Sequence, residues 1–310
     1  MSKTWLDLFG HEPVLLSEVR KFLQVKTGGC YMDCTVGTGA AAYSILKESA
    51  PNSHLIGIDR DPSAIALTKK NLADYHDRVT LFHGNFSHLR RFVASSGFVN
   101  VDGVLFDFGL SSVQLRKKER GFSFMADGPL DMRMDPSSGQ TAEEWLANCS
   151  EKDIEETLRT DGEERFSRRI AQAIVKARSL QPIQTTADLV EIIRQAVPSW
   201  YHHRRIHYAT RTFQAIRIAV NQELDGIEEA LCDAISLLRP GGRLCAIAFH
   251  SLEDRLVKQT FKKLAQQPHP LVTILTKKPC VPSVEERRAN PRSRSAKLRV
   301  VERWTEGVMA

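Results

Sequence analysis

The chain has 310 residues, of which 42% are hydrophobic and 26% charged, with a formal net charge of +6 and a sequence pI of about 9.0. That length suggests two domains or one enlarged one at roughly 150 residues each, with enough apolar side chains to bury a core without disulfides or metals. It excludes a helical membrane-spanning or disulfide-stapled protein: no run approaches the roughly 20 apolar residues that cross a bilayer, and Cys30, Cys34, Cys149, Cys232, Cys245 and Cys280 form no C-x-x-C pair.

Met1 to Gly10 lacks a basic stretch followed by an apolar run, so no signal peptide is expected, and the cysteine usage fits a reduced cytoplasmic protein. A mildly basic balance is compatible with a polyanionic partner and does not require one.

In chain order, the first predicted strand is Cys30–Cys34, followed by a glycine-containing turn and a helix from about Ala40. His54–Ile58 is a second strand ending in Asp59, and the next helix begins near Pro62, a residue suited to a first helical turn. Arg78–His83 reads as a third strand and Val101–Phe106 as a fourth, ending in Asp107. Strands alternating with helices argue for βαβ units and a parallel sheet. From Leu115 to about Gln214 the chain is polar, charged and helical in period, without a convincing strand. The α/β rhythm then resumes. Ala215–Leu238 reads as one long helix stopped by Pro240-Gly241-Gly242, and Leu244–Phe249 as a buried fifth strand. Leu271–Thr276 and Leu298–Trp304 are expected to close the sheet as an antiparallel pair. The expected organisation is an α/β core of 1–115 and 215–310 interrupted by a helical domain of 116–214 that recognises the substrate.

The loop Asp33-Cys34-Thr35-Val36-Gly37-Thr38-Gly39 follows the first strand, where glycines let the backbone turn tightly and approach a ligand. Asp59 ends the second strand about 20 residues later, the place of a carboxylate that accepts ribose hydroxyls. Together they point to a nucleoside cofactor and admit both NAD and S-adenosyl-L-methionine (SAM). Asp59 has a competing role as cap of the following helix, which Asp61 serves equally well. Asp107 stands at a strand's carboxyl end, where ligands of open α/β sheets bind, and an acidic group there suits an enzyme that orients an amino nucleophile. Phe86 is a candidate for the adenine face or for the core. Ser251 and Asp254 fit a capping box, and His250 beside them is a candidate substrate contact. Arg287, Arg288, Arg292, Arg294, Lys297 and Arg299 form a basic tail able to hold phosphates, although most charge runs are solvated faces. Tyr201-His202-His203-Arg204-Arg205 mixes aromatic and basic side chains as binders of unpaired RNA do.

Beyond these local patterns, long strings spread over nearly the whole chain resemble the RsmH (MraW) family. They are His11-Glu12-Pro13-Val14-Leu15-Leu16, Ile58-Asp59-Arg60-Asp61-Pro62, Arg120-Gly121-Phe122-Ser123-Phe124, Gly128-Pro129-Leu130-Asp131-Met132-Arg133-Met134-Asp135, Gly162-Glu163-Glu164-Arg165, Thr210-Arg211-Thr212-Phe213-Gln214-Ala215, Phe249-His250-Ser251-Leu252-Glu253-Asp254-Arg255 and Asn290-Pro291-Arg292-Ser293-Arg294-Ser295-Ala296. The resemblance implies a class I methyltransferase, Rossmann-like with a mostly parallel sheet and an inserted helical domain. It implies SAM as methyl donor and, as acceptor, the exocyclic N4 of a cytidine in the decoding centre of 16S ribosomal RNA within the small subunit. It places the cofactor against Gly39, Ala40, Ala41, Asp59, Phe86, Asp107 and Gln114, to which the loop itself adds Asp33 and Gly37. Asp107 is the candidate to orient N4, and Arg204, Arg205, Arg292, Arg294 and Lys297 the candidates to hold RNA. No metal and no membrane are implied, and a homodimer is compatible with the sequence.

The chain departs from the family's pattern at Ala40-Ala41, where a glycine and a histidine are usual, and at Tyr208, where proline is usual. Two other classes of function stay open at this point: an NAD-dependent oxidoreductase, which the loop admits, and a non-catalytic assembly factor with a degenerate SAM pocket, which Ala40-Ala41 admits.

Overall fold

The computed structural model describes Trp5, Phe9, Gly10 and residues 12–304; His11 of the first family string and most of the segment 1–10 lie outside it. The chain divides into two compact units, one of 1–109 with 225–310 and one of 110–224.

The first unit is built on seven strands: β1 Cys30–Asp33, β2 His54–Asp59, β3 Val79–His83, β4 Val101–Asp107, β5 Leu238–Ala248, β6 Val272–Ile274 and β7 Lys297–Arg303. Their order in the sheet is β3-β2-β1-β4-β5-β7-β6. β1 to β5 pair in parallel, and β7 runs antiparallel to both β5 and β6. This is the mostly parallel sheet that the family resemblance implies. β1, β4 and most of β5 read as near-continuous apolar runs because helices cover a parallel sheet on both faces. Val19 and Leu23 from the helix Leu16–Leu23, its N-cap residue Leu15, and Ala42, Ile45 and Leu46 from Ala40–Glu48 join Tyr31, Leu55, Leu105, Ile247, Leu298 and Val300 in one buried cluster. The chain reverses its direction of travel across the sheet between β1 and β4, which makes their carboxyl ends the switch point at which such sheets bind ligands.

Two expectations about the chain from Thr210 to Ala248 are corrected. Ala215–Leu238 is not one helix but two, Thr210–Asn221 and Ile227–Leu237. Gln222 (φ 50°) and Gly226 (φ 74°) are left-handed between them, so the ladder of helical hydrogen bonds cannot continue. Pro240-Gly241-Gly242 does not merely stop a helix. It lies within β5, where the register jumps from Val101↔Leu238 to Gly103↔Arg243 and the extra residues bulge outward.

The second unit is helical, comprising Ser112–Arg116, Ala142–Asn148, Glu151–Thr160, Ser167–Arg178, Thr186–Ala196, Ser199–His202 and Thr210–Asn221. Capping boxes start three of them, Ser111 with Gln114, Thr141 with Glu144 and Thr185 with Asp188. Its own core includes Leu130, Met132, Trp145, Ile154, Leu158, Ile170, Ile174, Leu189, Ile193, Phe213 and Ile216. The string Gly128–Asp135 is packed into this core by its backbone. A Cβ on Gly128 would lie 2.1 Å from the Lys118 carbonyl oxygen, and one on Gly121 2.3 Å from that of Pro129. Arg120 donates to the carbonyls of Arg133 and Met134, and Asp131 accepts from the backbone and guanidinium of Arg133.

Among the described residues no helix is long and apolar enough to cross a membrane, and all six cysteines are free.

Candidate cofactor and catalytic site

The parallel register delivers Asp33, Asp59 and Asp107 to the carboxyl ends of β1, β2 and β4. The loop after β1 is fixed before any ligand arrives. Val36 N donates to the Ile58 carbonyl at 2.9 Å, and Gly39 N to that of Val36 at 2.8 Å. From the helix Pro62–Asn71, Thr68 Oγ1 donates to the Gly37 carbonyl (2.8 Å) and Asn71 Nδ2 to that of Thr38 (2.9 Å). Gly39 is left-handed (φ 84°), and a Cβ there would press on Thr68 Cγ2 at 3.0 Å, so glycine is required by both backbone and space. The helix beginning at Ala40 has no side-chain cap, and Ala40 and Ala41 bring only backbone N–H groups to its first turn.

Asp59 has one oxygen on Gly37 N (2.8 Å) and the other on Asp61 N (2.9 Å). It therefore braces the cofactor loop, and each oxygen keeps a further lone pair for a ligand hydroxyl. Capping the next helix falls to Asp61, whose carboxylate accepts from Ser63 N at 2.9 Å. Asp33 is buried and accepts from Thr35 N at 3.1 Å.

Asp107 differs from both. Its backbone N–H donates to Thr35 Oγ1 at 2.7 Å, while its own Oδ1 is buried without a hydrogen-bond partner among the described residues. An orphaned carboxylate oxygen is costly unless a ligand supplies the donor. Burial pushes the Asp107 carboxyl up to about 8, helped by the negative charges of Asp33 and Glu253. Burial likewise raises Asp33 to about 7, with Asp59 adding to the shift, and Asp59 to about 6.

Three carboxyls with raised pKa values, Asp33 buried and Asp59 and Asp107 half-buried, meet at the end of the loop that would hold the cofactor. The pyrophosphate of NAD would add negative charge to the group. SAM brings a sulfonium and an ammonium, and positive charge within a few ångströms favours the ionised carboxylates. The donor set therefore fits SAM.

Phe86 lies half-buried at a strand end, its ring 5.8 Å edge-on from both Phe106 and Phe108, which stack on each other at 5.4 Å. The three rings form one aromatic cluster, of which Phe86 is the partly accessible member. Gln114 lies in the helical unit, buried, with its side-chain oxygen accepting from Ser111 N at 2.9 Å in a capping box.

The expected Ser251–Asp254 box is corrected. The cap of the helix Ser251–Ala265 is His250, whose Nδ1 accepts from Glu253 N at 3.4 Å, and Glu253 closes the box on the N–H groups of Phe249 and His250. Asp254 instead pairs with Lys297 (3.0 Å) and Arg299 (2.7 Å), tying this helix to β7. Lys297 is thereby engaged within its own unit, whereas Arg292 and Arg294 are exposed in the turn before β7. Arg204 and Arg205 are exposed in the helical unit, but Tyr201 beside them is buried and hydrogen-bonds to Glu164.

Sequence reasoning missed two residues of this site. Thr35, in the middle of the loop, anchors Asp107. Glu253, read only as part of a family string, adds to the negative field on Asp107. The polar residue between Asp33 and Gly37 was the one available signal for Thr35.

The sequence model of the MraW methylase family matches residues 8–304. Ribosomal RNA small subunit methyltransferase H from Heliobacterium modesticaldum is 48% identical over 310 residues, covering 96% of this chain and 99% of that protein. The protein of the same name from Geobacter sp. (strain M21) is 46% identical over 311 residues, 96% of this chain and 100% of its own length. Among solved structures, a putative rRNA-methylase from Clostridium thermocellum covers 94% of this chain and 99% of its own, at 15% identity and a TM-score of 0.47.

Proposed function

Because this chain belongs to the MraW methylase family and is a SAM-dependent methyltransferase, we propose that it methylates the exocyclic N4 of a cytidine in the decoding centre of 16S ribosomal RNA, yielding N4-methylcytidine. The names of its relatives support the class of RNA, and the buried, unpartnered Oδ1 of Asp107 carries the chemical reading. SAM, when bound, supplies a methyl group already activated on sulfur. What remains for the protein is to present a nitrogen in line with that methyl and to exclude water.

The lone pair of a cytosine amine is delocalised into its ring. A carboxylate oxygen that accepts one N–H holds the amine in place and interacts more strongly as positive charge develops on nitrogen. The unpartnered Oδ1 supports giving Asp107 this role, and its raised pKa suits it to take the proton that the methylated nitrogen releases. Thr35 holds the Asp107 backbone in register. Reaching such a site requires the target base to leave its stack.

The test is single-turnover methylation of small-subunit particles at saturating SAM, with the modified nucleotide mapped by mass spectrometry. Asp107→Asn keeps the size and removes the charge. The rate should fall at least about 100-fold while SAM affinity changes by less than about tenfold. A normal saturated rate would move the orienting role elsewhere. A product other than N4-methylcytidine would reject the substrate assignment.

A further inference from the structure

Trp200 is 47% exposed in the helical unit, a large apolar ring that no core there needs. Two guanidinium groups lie over it, Arg204 at 5.4 Å and Arg165 at 5.7 Å from the ring centroid. Neither arginine is in an ion pair among the described residues, so both charges are open to a partner. The arrangement is held from beneath. The buried carboxylate of Glu164 accepts from Tyr201 Oη at 3.0 Å and from Phe166 N at 2.9 Å, and Phe166 packs edge-on against both Trp200 (5.8 Å) and Tyr201 (4.9 Å). Next to it Arg204, Arg205 and Arg211 line a cavity of about 370 Å³ together with Ile206 and His207. Arg211 donates to the Glu163 carbonyl at 2.5 Å, which leaves its charge uncompensated by that contact.

An exposed tryptophan flanked by unpaired arginines beside a basic cavity is suited to bases that have lost their own stacking partners, with a phosphate held alongside. We propose that Trp200 with Arg165 and Arg204 is a stacking platform for unpaired nucleotides of the RNA substrate, and that the adjoining cavity takes the phosphate that follows. This rests on reading the chain as an RNA methyltransferase and assigns a role to a surface remote in sequence from the SAM loop. Tyr201, the aromatic that the sequence offered, is buried with its hydroxyl on Glu164 beneath the platform and also lines the cavity.

The experiment measures binding of a fluorescein-labelled hexacytidylate to the full-length protein by anisotropy across a salt series, for the wild type, Trp200→Ala, Trp200→Phe and Arg204→Gln. Trp200→Ala should weaken binding about tenfold or more without changing the salt slope, since stacking releases no counterions. Trp200→Phe should recover part of the loss, and Arg204→Gln should lower both affinity and slope. SAM affinity, measured beside these, should not move for Trp200→Ala, and the variant should stay folded at the assay temperature. Binding of hexacytidylate by Trp200→Ala within twofold of the wild type would overturn the platform, as would absence of binding by the wild type. Equal losses on a duplex of paired RNA would also overturn it, because a duplex presents no free base face. Methyl transfer to small-subunit particles by the wild type separates the two readings. If transfer is present and Trp200→Ala binds normally, only the platform fails. If Trp200→Ala weakens binding but no small-subunit RNA is methylated, only the functional reading fails.

Discussion

At the scale of single residues, Asp59 and Asp107 are both carboxylates at strand ends, yet the structure gives them different work. Asp59 is satisfied by two backbone N–H groups of the site itself, so its charge is spent on shaping the loop as well as on meeting a ligand. Asp59→Ala should lower SAM affinity by roughly 10- to 100-fold, in line with losing charge-assisted hydrogen bonds of about 1.5–3 kcal/mol. Titration calorimetry on the folded variant checks this, and an unchanged dissociation constant would remove Asp59 from the cofactor site. Asp107 has an oxygen with nothing to accept, which is why the reaction is assigned to it. At His250, which its sequence position beside the sheet edge made a candidate substrate contact, Nδ1 caps the following helix, while Nε2 is buried without a hydrogen-bond partner among the described residues.

At the scale of elements, the most specific string in the sequence, Gly128-Pro129-Leu130-Asp131-Met132-Arg133-Met134-Asp135, is explained by packing. Gly121 and Gly128 lie where no Cβ fits, and Met132 takes a left-handed backbone (φ 58°) with its side chain fully buried. Sequence specificity of this kind marks a fold constraint as readily as a site. The break between Thr210–Asn221 and Ile227–Leu237 is another element-level lesson. Asp225-Gly226 is a turn signal, but a continuous helical period on either side conceals it. Gln222 holds the left-handed cap of the first helix without being glycine. Gln222→Gly should therefore stabilise the protein by about 0.5–1 kcal/mol. Urea denaturation of the two proteins is the check, and a lower midpoint for the variant would show that the Gln222 side chain does more than tolerate its backbone.

At the scale of the whole molecule, charge decides how cofactor, pH and stability are linked. Asp59, Asp33 and Asp107 have folded-state pKa values of about 6, 7 and 8, all above the ordinary carboxylate value. Between about pH 4 and pH 8 the folded chain therefore holds protons that the unfolded chain has released. Their contribution to stability is complete below about pH 4 and is lost as pH rises through 6, 7 and 8. The ligand-free protein should consequently lose stability from pH 5.5 to pH 8 in denaturant melts. Cationic SAM favours the ionised carboxylates, so its binding should release protons near neutral pH and tighten as pH rises. Calorimetry in two buffers of different ionisation enthalpy reads that release directly. An identical heat in both would mean that the carboxyls are already ionised before SAM arrives.

The sequence by itself determined the class I architecture, the parallel strands and the residues that end them, while their order across the sheet came from the structure. Apolar runs closed by Asp33, Asp59 and Asp107 are local patterns, and a parallel register turns them into a site without further information. The family strings also lie in the linear sequence and name the chemistry directly. What only the tertiary structure decided is which polar atoms are satisfied. Asp254 was available to cap a helix or to pair with Lys297 and Arg299. Tyr201 and Trp200 were equally aromatic neighbours, until burial against Glu164 took one and left the other at the surface. Those outcomes depend on groups tens or hundreds of residues apart meeting in a low-dielectric interior, where an unmet hydrogen bond costs more than any local propensity can repay.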